Sequence, residues 1–158
     1  MPPAFHIISY SPEYQPQFYA LNAAWIGQHY TLEEEDKRFL SDPVKYLINN
    51  GGMVFFLLED GQVAGTCGLL KMDNKTYELV RMTVDTRYRG KGYGKALINH
   101  AIGWAKARGA LQVILETGSV LKTAIALYEK LGFAHHIPDP AHRSALARAD
   151  VFMRKPID

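Results

Sequence analysis

The apolar positions of the chain fall into short runs of strand length and longer stretches with helical spacing. Apolar runs bounded by turn residues predict strands in the first half of the chain, at Phe5 to Tyr10, Met53 to Glu59, Gln62 to Met72 and Tyr77 to Val84. Asp60-Gly61 lies between two of these runs and is typical of a two-residue type I′ turn, and Asp73 to Lys75 supplies the next turn. The last three runs are therefore expected to form an antiparallel meander that ends at Val84.

Helical spacing of apolar residues predicts the remaining framework. Helices are expected at Pro12 to Ile26, at Glu33 to Phe39, in a short segment beginning at Asp42-Pro43, in a segment ending at Arg108, and at Thr123 to Leu131. Leu111 to Glu116 is a further strand, and Phe133 to His136 can pair with Asp150 to Arg154 in a closing hairpin. Because a helix separates the strand ending at Val84 from Leu111 to Glu116, these two strands are expected to be parallel.

Length and composition agree with one compact unit. With 158 residues, of which 47% are hydrophobic, the chain can bury a single core, and one domain covering residues 1–158 is expected. Met1 to Tyr10 lacks the basic and apolar segments of a secretory signal, and the apolar run from Met53 to Leu58 is too short for a membrane span. One cysteine, Cys67, excludes an internal disulfide and a cysteine-built zinc site. A cytoplasmic protein without membrane partners is therefore expected.

The most informative stretch is the basic, glycine-rich segment from Arg87 to Lys95, which follows a predicted strand and precedes a predicted helix. Its glycines stand at alternate positions, Gly90, Gly92 and Gly94. Glycine lets a backbone turn sharply or approach a ligand closely. The N–H groups of the first helical turn have no intrahelical acceptors, and the helix dipole adds partial positive charge. This predicts an anion site, with phosphate as the expected guest, supported by four cations: Arg87, Arg89, Lys91 and Lys95.

The spacing within this loop limits the kind of phosphate ligand. A Walker A loop needs Ser or Thr after its Gly-Lys pair, and Ala96 stands there instead. A dinucleotide-binding G-x-G-x-x-G loop needs a small residue at Lys95 or at Leu97, depending on the register, although Glu116 lies at a suitable distance downstream. A nucleotide triphosphatase is therefore disfavoured and a dinucleotide site is the weaker alternative. A tight turn without any ligand is the structural alternative.

The pattern that does fit is R-x-x-G-x-G, beginning at Arg89. Together with the downstream segment Leu127 to Phe133, which has the form L-Y-x-x-x-G-F, and with Glu78 to Asp85 as a central strand, it resembles the GNAT superfamily of acetyl-CoA-dependent N-acetyltransferases. The good match covers roughly Val63 to Phe133. The resemblance implies an α/β (α+β) fold. Its sheet is mixed and mostly antiparallel, is flanked by helices and contains two central, splayed parallel strands.

The resemblance also implies acetyl-CoA as the co-substrate and suggests its contacts. The pyrophosphate would lie against the glycine loop, at Arg89, Gly90, Lys91, Gly92, Tyr93, Gly94 and Lys95. The pantetheine arm would hydrogen-bond the strand backbone at Met82, Thr83 and Val84, where one amide can polarise the thioester carbonyl. Relatives often hold this arm with an asparagine, and at the corresponding place this chain offers Thr117 or Ser119.

The same resemblance implies the catalytic residues. Tyr128 stands where family members often have the acid that protonates the leaving thiolate, and outside its motif it would be taken as a core residue. Glu78 lies on the central strand, where relatives have a general base that acts directly or through water, and Glu116 is its competitor. The even separation of Glu78 and Val84 places both on one face of an undistorted strand, and a bulge would reverse this.

The acceptor is expected to be a primary amine of a small molecule, an amino acid or a protein. By resemblance, Gly27 to Leu32 borders the acceptor mouth. Arg143 and Arg148 lie in a polar loop and either are solvated or contact an acceptor carboxylate. No metal is expected, because His135 and His136 are neighbours on a predicted strand and would face opposite ways.

Two other classes of function remain at this point. One is a catalytically silent module that binds or senses acyl-CoA. The other is a nucleic-acid-binding protein, which the net charge of +2 and the clustering of cations on one loop disfavour. A homodimer is left open.

Overall fold

The computed structural model describes residues 5–142 and 149–157, and within them the chain forms one seven-stranded sheet. The spatial order of the strands is β1-β2-β3-β4-β5-β7-β6, and every neighbouring pair is antiparallel except β4 and β5, which are parallel. The strands are β1 (Phe5–Ser9), β2 (Met53–Glu59), β3 (Gln62–Lys71), β4 (Thr76–Val84), β5 (Gln112–Thr117), β6 (Ala134–His135) and β7 (Val151–Pro156). The mixed, mostly antiparallel sheet expected from the sequence is confirmed.

Helices flank this sheet. They are α1 (Gln15–His29), α2 (Glu34–Ser41), α3 (Pro43–Tyr46), α4 (Tyr93–Ala107) and α5 (Lys122–Lys130), with short 3-10 turns at Pro12–Tyr14, Ile48–Asn50, Thr86–Tyr88 and Pro140–His142. The first helix differs from its prediction, because Pro12 begins a 3-10 turn and α1 starts only at Gln15. Pro16 has no N–H to donate to the carbonyl of Pro12, so a continuous α-helix cannot form there. The helix continues to His29, since the N–H of Tyr30 still bonds to the carbonyl of Ile26 at 2.7 Å.

The hairpin between β2 and β3 has the predicted turn. Asp60 and Gly61 have φ angles of 50° and 78°, and positive φ at both central residues defines a type I′ turn. Successive side chains of β2 point to opposite faces of the sheet and so contribute to two separate cores. Phe55 and Leu57 pack against α4 on one face of the sheet, whereas Phe56 and Leu58 pack against α1 and α2 on the other face.

The parallel strands β4 and β5 pair only over a short stretch. Thr76, Tyr77 and Glu78 lie opposite Gln112, Val113 and Ile114, and no pairing follows although β4 continues to Val84 and β5 to Thr117. On its other edge β5 stays paired with β7 as far as Thr117. The two central strands therefore separate after Glu78, and the opening between them, called the fork below, is the splay expected from the sequence.

A bulge in β4 lies beside the fork. On β3, Thr66 pairs with Thr83 and Gly68 with Val80, so Arg81 and Met82 together oppose Cys67. Arg81 has a φ of +53°, a left-handed backbone conformation that residues other than glycine rarely adopt.

The bulge reverses the faces of β4. Before it, Leu79 packs into the α4 core and Val80 into the α1–α2 core, and after it Met82 and Val84 pack against the α4 core. Glu78 therefore faces the α1–α2 side, opposite to Val84. The rule for an undistorted strand would have placed both on one face, and the bulge overrides it.

Candidate active site

A cavity of about 790 Å³ lies at the fork and is lined by elements from both faces of the sheet. Its lining includes the glycine loop and α5 on one side, and α1, α2 and the buried face of β4 on the other side. The two halves are called the cofactor half and the acceptor half below. One continuous space therefore joins the predicted anion site to the predicted acceptor mouth.

The glycine loop forms the floor of the cofactor half. Gly90 and Gly92 have φ angles of 82° and 81°, and Gly92 is the N-cap of α4. These left-handed residues bend the chain so that the first turn of α4 meets the cavity, which Gly94 and Lys95 line. N–H groups of a first helical turn lack intrahelical acceptors, so this end of α4 suits a phosphate group.

The four cations of the loop take different positions. Arg89 and Lys95 line the cavity. Arg87 instead pairs with Asp85 at 3.0 Å, and the ammonium group of Lys91 lies 2.8 Å from a carboxylate oxygen of Glu59. The hydroxyl of Tyr93 also donates a hydrogen bond to Glu59. Lys91 was a predicted pyrophosphate contact, but its side chain points to the end of β2 and does not line the cavity.

The strand segment predicted to hold pantetheine lies along the fork. Met82, Thr83 and Val84 all line the cavity, as does Thr117 across the fork on β5. Ser119 takes another role, because its N–H and its hydroxyl each donate a hydrogen bond of 2.7 Å to the carboxylate of Asp150. Of the two candidates for the asparagine contact, Thr117 is therefore the one that the fold brings to the cavity.

Tyr128 lies on α5 and lines the cofactor half of the cavity. It is 8% exposed, and its ring packs against Phe133 with 5.9 Å between the ring centroids. Burial raises the pKa of its phenol above the ordinary value, and the nearby Cys67 adds to this shift. The hydroxyl therefore keeps its proton over the working pH range, which a group that must donate a proton requires.

Glu78 lies at the start of the fork on the opposite side, in the acceptor half. Its side chain lines the cavity although the residue is only 5% exposed. The pKa of its carboxyl group is raised to about 8, and burial is the largest cause. The charges of Glu116 and Glu35 add to the shift, and that of Arg81 opposes it. A carboxyl group with a pKa near 8 can accept a proton from an amine close to neutral pH.

The acceptor half has walls that the sequence only partly indicated. His29 and Tyr30 line it and belong to the segment Gly27 to Leu32, which was expected at the acceptor mouth. Trp25 of α1 lines the cavity and also packs against the α1–α2 core. On α2, Glu35 and Phe39 line it four residues apart, a spacing that puts both on one helical face and was the available signal.

A buried polar network holds the bulge in place. The side-chain amide of Asn22 donates to the hydroxyl of Thr66 at 3.0 Å, and that hydroxyl donates to the carbonyl of Arg81 at 3.2 Å. The guanidinium of Arg81 pairs with Asp36 of α2 at 2.9 Å. These contacts could not be predicted from the sequence, because each joins segments that are distant along the chain.

The remaining expectations concern the polar loop, membrane spans and metal binding. Arg143 and Arg148 lie outside the described residues. Among the described helices none is both long and apolar enough to cross a bilayer. Residues 5–142 and 149–157 contain no cluster of three or more histidine, cysteine or acidic side chains arranged to hold a metal ion.

The fold and this cavity define the class of the protein. Residues 9–133 match the family described as "Acetyltransferase (GNAT) family", so the chain belongs to that family. The matched range contains the glycine loop, Glu78 and Tyr128.

Curated relatives agree with this assignment over part of the chain. N-acetyltransferase 8B of Homo sapiens is 33% identical over 100 residues, which are 60% of this chain and 44% of that protein. N-acetylaspartate synthetase of Rattus norvegicus is 37% identical over 98 residues, or 61% of this chain and 33% of that protein. The chain therefore spans less than half of the length of these relatives.

Solved structures share the whole fold. An acetyltransferase of the GNAT family from Staphylococcus aureus Mu50 superposes with a TM-score of 0.90 at 22% identity, covering 98% of this chain and 100% of that one. The PaiA N-acetyltransferase from Thermoplasma acidophilum, solved in complex with coenzyme A, gives a TM-score of 0.76 at 20% identity and covers 98% and 99%. At these identities the likeness establishes the fold.

Proposed function

We propose that the protein is an N-acetyltransferase that moves the acetyl group of acetyl-CoA directly onto a primary amine. The observation that carries the proposal is the continuous cavity through the fork. It brings a helix N-terminus suited to phosphate, a buried tyrosine and a buried glutamate with a raised pKa to one space. These groups match the needs of acyl transfer to an amine: a grip on the donor, a base and an acid.

The cofactor half supplies the grip. The pyrophosphate lies on the first turn of α4, held by backbone N–H groups and by the side chains of Arg89 and Lys95. The pantetheine arm runs along β4 beside the bulge, at Met82, Thr83 and Val84, with Thr117 facing it across the fork. Because β4 and β5 are unpaired there, an extended ligand can use strand hydrogen-bonding groups as an added strand would.

The acid and the base stand on opposite sides of this path. Glu78 removes a proton from the ammonium form of the acceptor, directly or through water, and the neutral nitrogen attacks the thioester carbonyl carbon. A bulge N–H stabilises the negative charge that develops on the oxygen. The carbon–sulfur bond then breaks and Tyr128 donates a proton to the thiolate. The nitrogen loses its second proton to solvent, from which Tyr128 is reprotonated, and Glu78 releases the first proton. The products are the amide, free CoA and one proton.

Membership of the family does not specify which amine is acetylated. The name N-acetylaspartate synthetase specifies a product with two carboxylates, but this chain covers 33% of that relative. The walls of this chain's own cavity are therefore the better guide to its acceptor.

A turnover screen tests the proposal. Acetyl-CoA is incubated with the protein and a library of primary amines, free thiol is followed spectroscopically, and acetylated amine is identified by mass spectrometry. We expect thiol release that depends on both the amine and the protein. Tight CoA binding without transfer to any amine would instead support a silent acyl-CoA-binding module.

A further inference from the structure

The acceptor half of the cavity is lined by more acidic side chains than lysine or arginine side chains among the described residues. The acidic ones are Glu35, Glu78 and Glu116. Arg81 also lines it, but its guanidinium is paired with the buried carboxylate of Asp36. The remaining lining lysines and arginine among the described residues, Arg89, Lys95 and Lys122, belong to the glycine loop and to α5.

Two of these carboxylates have features that point to a ligand. Glu78 is 5% exposed, lines the cavity, and has no hydrogen bond or ion pair from its carboxyl group to any part of the chain that the structure describes. On α2, Glu34 pairs with Lys37 at 3.2 Å and Asp36 with Arg81, whereas Glu35 between them lines the cavity. A buried carboxyl without a partner is costly, so a cationic or amine ligand is its natural complement.

The rest of the acceptor half is apolar and aromatic. Its wall includes Trp25 and Tyr30 from α1 and the residue after it, Phe39 from α2, and Leu70 from β3. Aromatic faces attract both hydrocarbon chains and cations. The acceptor half thus offers an apolar passage with the unpartnered carboxyl group of Glu78 at one point and the side chain of Glu35 at another.

From this arrangement we propose that the acceptor is a primary amine on an apolar chain or ring that carries a second positive charge, such as an aliphatic diamine. The reacting amine lies at Glu78, the hydrocarbon body passes between the aromatic side chains, and the second ammonium group lies towards Glu35. The inference rests on the proposed transferase activity and names its substrate class. An acceptor carboxylate would meet the carboxylate of Glu35, and the guanidinium of Arg81, the one arginine or lysine that the structure describes in the acceptor half, is already paired with Asp36.

Three probes of equal length test the charge of the distal group. The compounds 1,5-diaminopentane, n-hexylamine and 6-aminohexanoate place a cation, a methyl group and a carboxylate after the same five methylenes. Binding to the CoA-saturated protein is measured by calorimetry, and kcat/KM with acetyl-CoA is measured in parallel. We expect the diamine to exceed n-hexylamine by about tenfold in both readouts, and 6-aminohexanoate to be weakest. The diamine advantage should shrink as salt is raised.

A variant pair assigns the effect to one carboxylate. Glu35→Gln should reduce the ratio of diamine to n-hexylamine towards one. The matched control is Glu34→Gln, whose side chain is 77% exposed and pairs with Lys37 on the outer surface, and it should leave the ratio unchanged. Glu35→Lys should shift preference towards 6-aminohexanoate.

The outcomes separate this inference from the proposed activity. Equal or better use of 6-aminohexanoate, or a diamine ratio insensitive to Glu35→Gln, overturns the inference while leaving the transferase intact. Preferred binding of the diamine with no acetylation of any amine supports the cationic site and rejects the transferase.

Discussion

The carboxylate of Asp36 joins the acceptor helix to the bulge of the central strand. One oxygen lies 2.9 Å from the guanidinium of Arg81, and the other accepts a hydrogen bond from the backbone N–H of Glu33 at 2.9 Å. Asp36 has no exposed surface, and Arg81 holds a φ of +53°. One buried side chain therefore contacts both the first turn of α2 and the bulge of β4.

Asp36→Asn tests this connection. The variant keeps the side-chain shape but removes the carboxylate charge that lies 2.9 Å from the largely buried guanidinium of Arg81. We expect the free energy of unfolding in urea to fall by about 3 kcal/mol. We also expect kcat to fall more than the affinity for CoA, because the bulge loses its anchor. Glu34→Gln breaks an exposed ion pair on the same helix and should cost less than about 0.5 kcal/mol. Similar losses in both variants would show that the pair does not anchor the bulge.

The pH dependence of the reaction identifies the base. Because the pKa of Glu78 is raised to about 8, kcat/KM should increase with pH and level off above that value. Glu78→Gln should lower kcat by about 100-fold or more and remove this limb. Glu116→Gln should keep most of the activity and move the limb to lower pH, because the charge of Glu116 contributes to the raised pKa. The opposite result would make Glu116 the base.

Stability provides the control for the Glu78 assignment. A carboxyl whose pKa rises from 4.5 in the unfolded chain to about 8 in the folded one binds its proton more tightly when folded. Its contribution therefore favours folding below pH 4.5 and is lost as pH rises towards 8. Glu78→Gln should remove this decline and be more stable than the wild type at pH 8, by roughly 2 kcal/mol. An inactive variant that is also less stable at pH 8 would indicate a structural role.

Tyr128→Phe tests the acid. The variant keeps the contact with Phe133 and the packing of α5, so the unfolding midpoint and CoA affinity should change little. Loss of the proton donor should lower kcat on the order of 100-fold at neutral pH. The loss should shrink as pH rises, because protonation of the sulfur then matters less. Turnover equal to the wild type across the pH range would make Tyr128 a core residue only.

Gly92→Ala tests the cofactor half. Gly92 has a φ of +81°, so a side chain there strains the backbone and obstructs the approach to the first turn of α4. Gly109, at the other end of α4, has a φ of +85° and equally open surroundings. Gly109→Ala therefore matches the strain, and both variants should lose about 1 kcal/mol of stability. Only Gly92→Ala should weaken CoA binding in calorimetry, whereas equal affinities would reject the pyrophosphate site.

The order of elements follows from local properties of the sequence. Runs of apolar residues, the Asp60-Gly61 turn and the glycine loop act through neighbours in the chain, so β2 was predicted with its observed bounds and the type I′ turn was predicted correctly. The strand–helix–strand order around α4 likewise predicted the parallel pairing of β4 and β5, because such a crossover leaves few alternatives.

Tertiary structure decided which side chains reach the cavity. The bulge at Arg81 depends on pairing with β3 and on Asp36, 45 residues away, and it alone puts Glu78 on the face opposite Val84. Lys91 is drawn to Glu59 and Ser119 to Asp150 by contacts of the same long-range kind. The sequence thus determined the elements and the kinds of chemistry available, through local backbone preferences. Only the packed fold determined which of these groups face each other, because contacts between distant segments depend on how the whole chain packs.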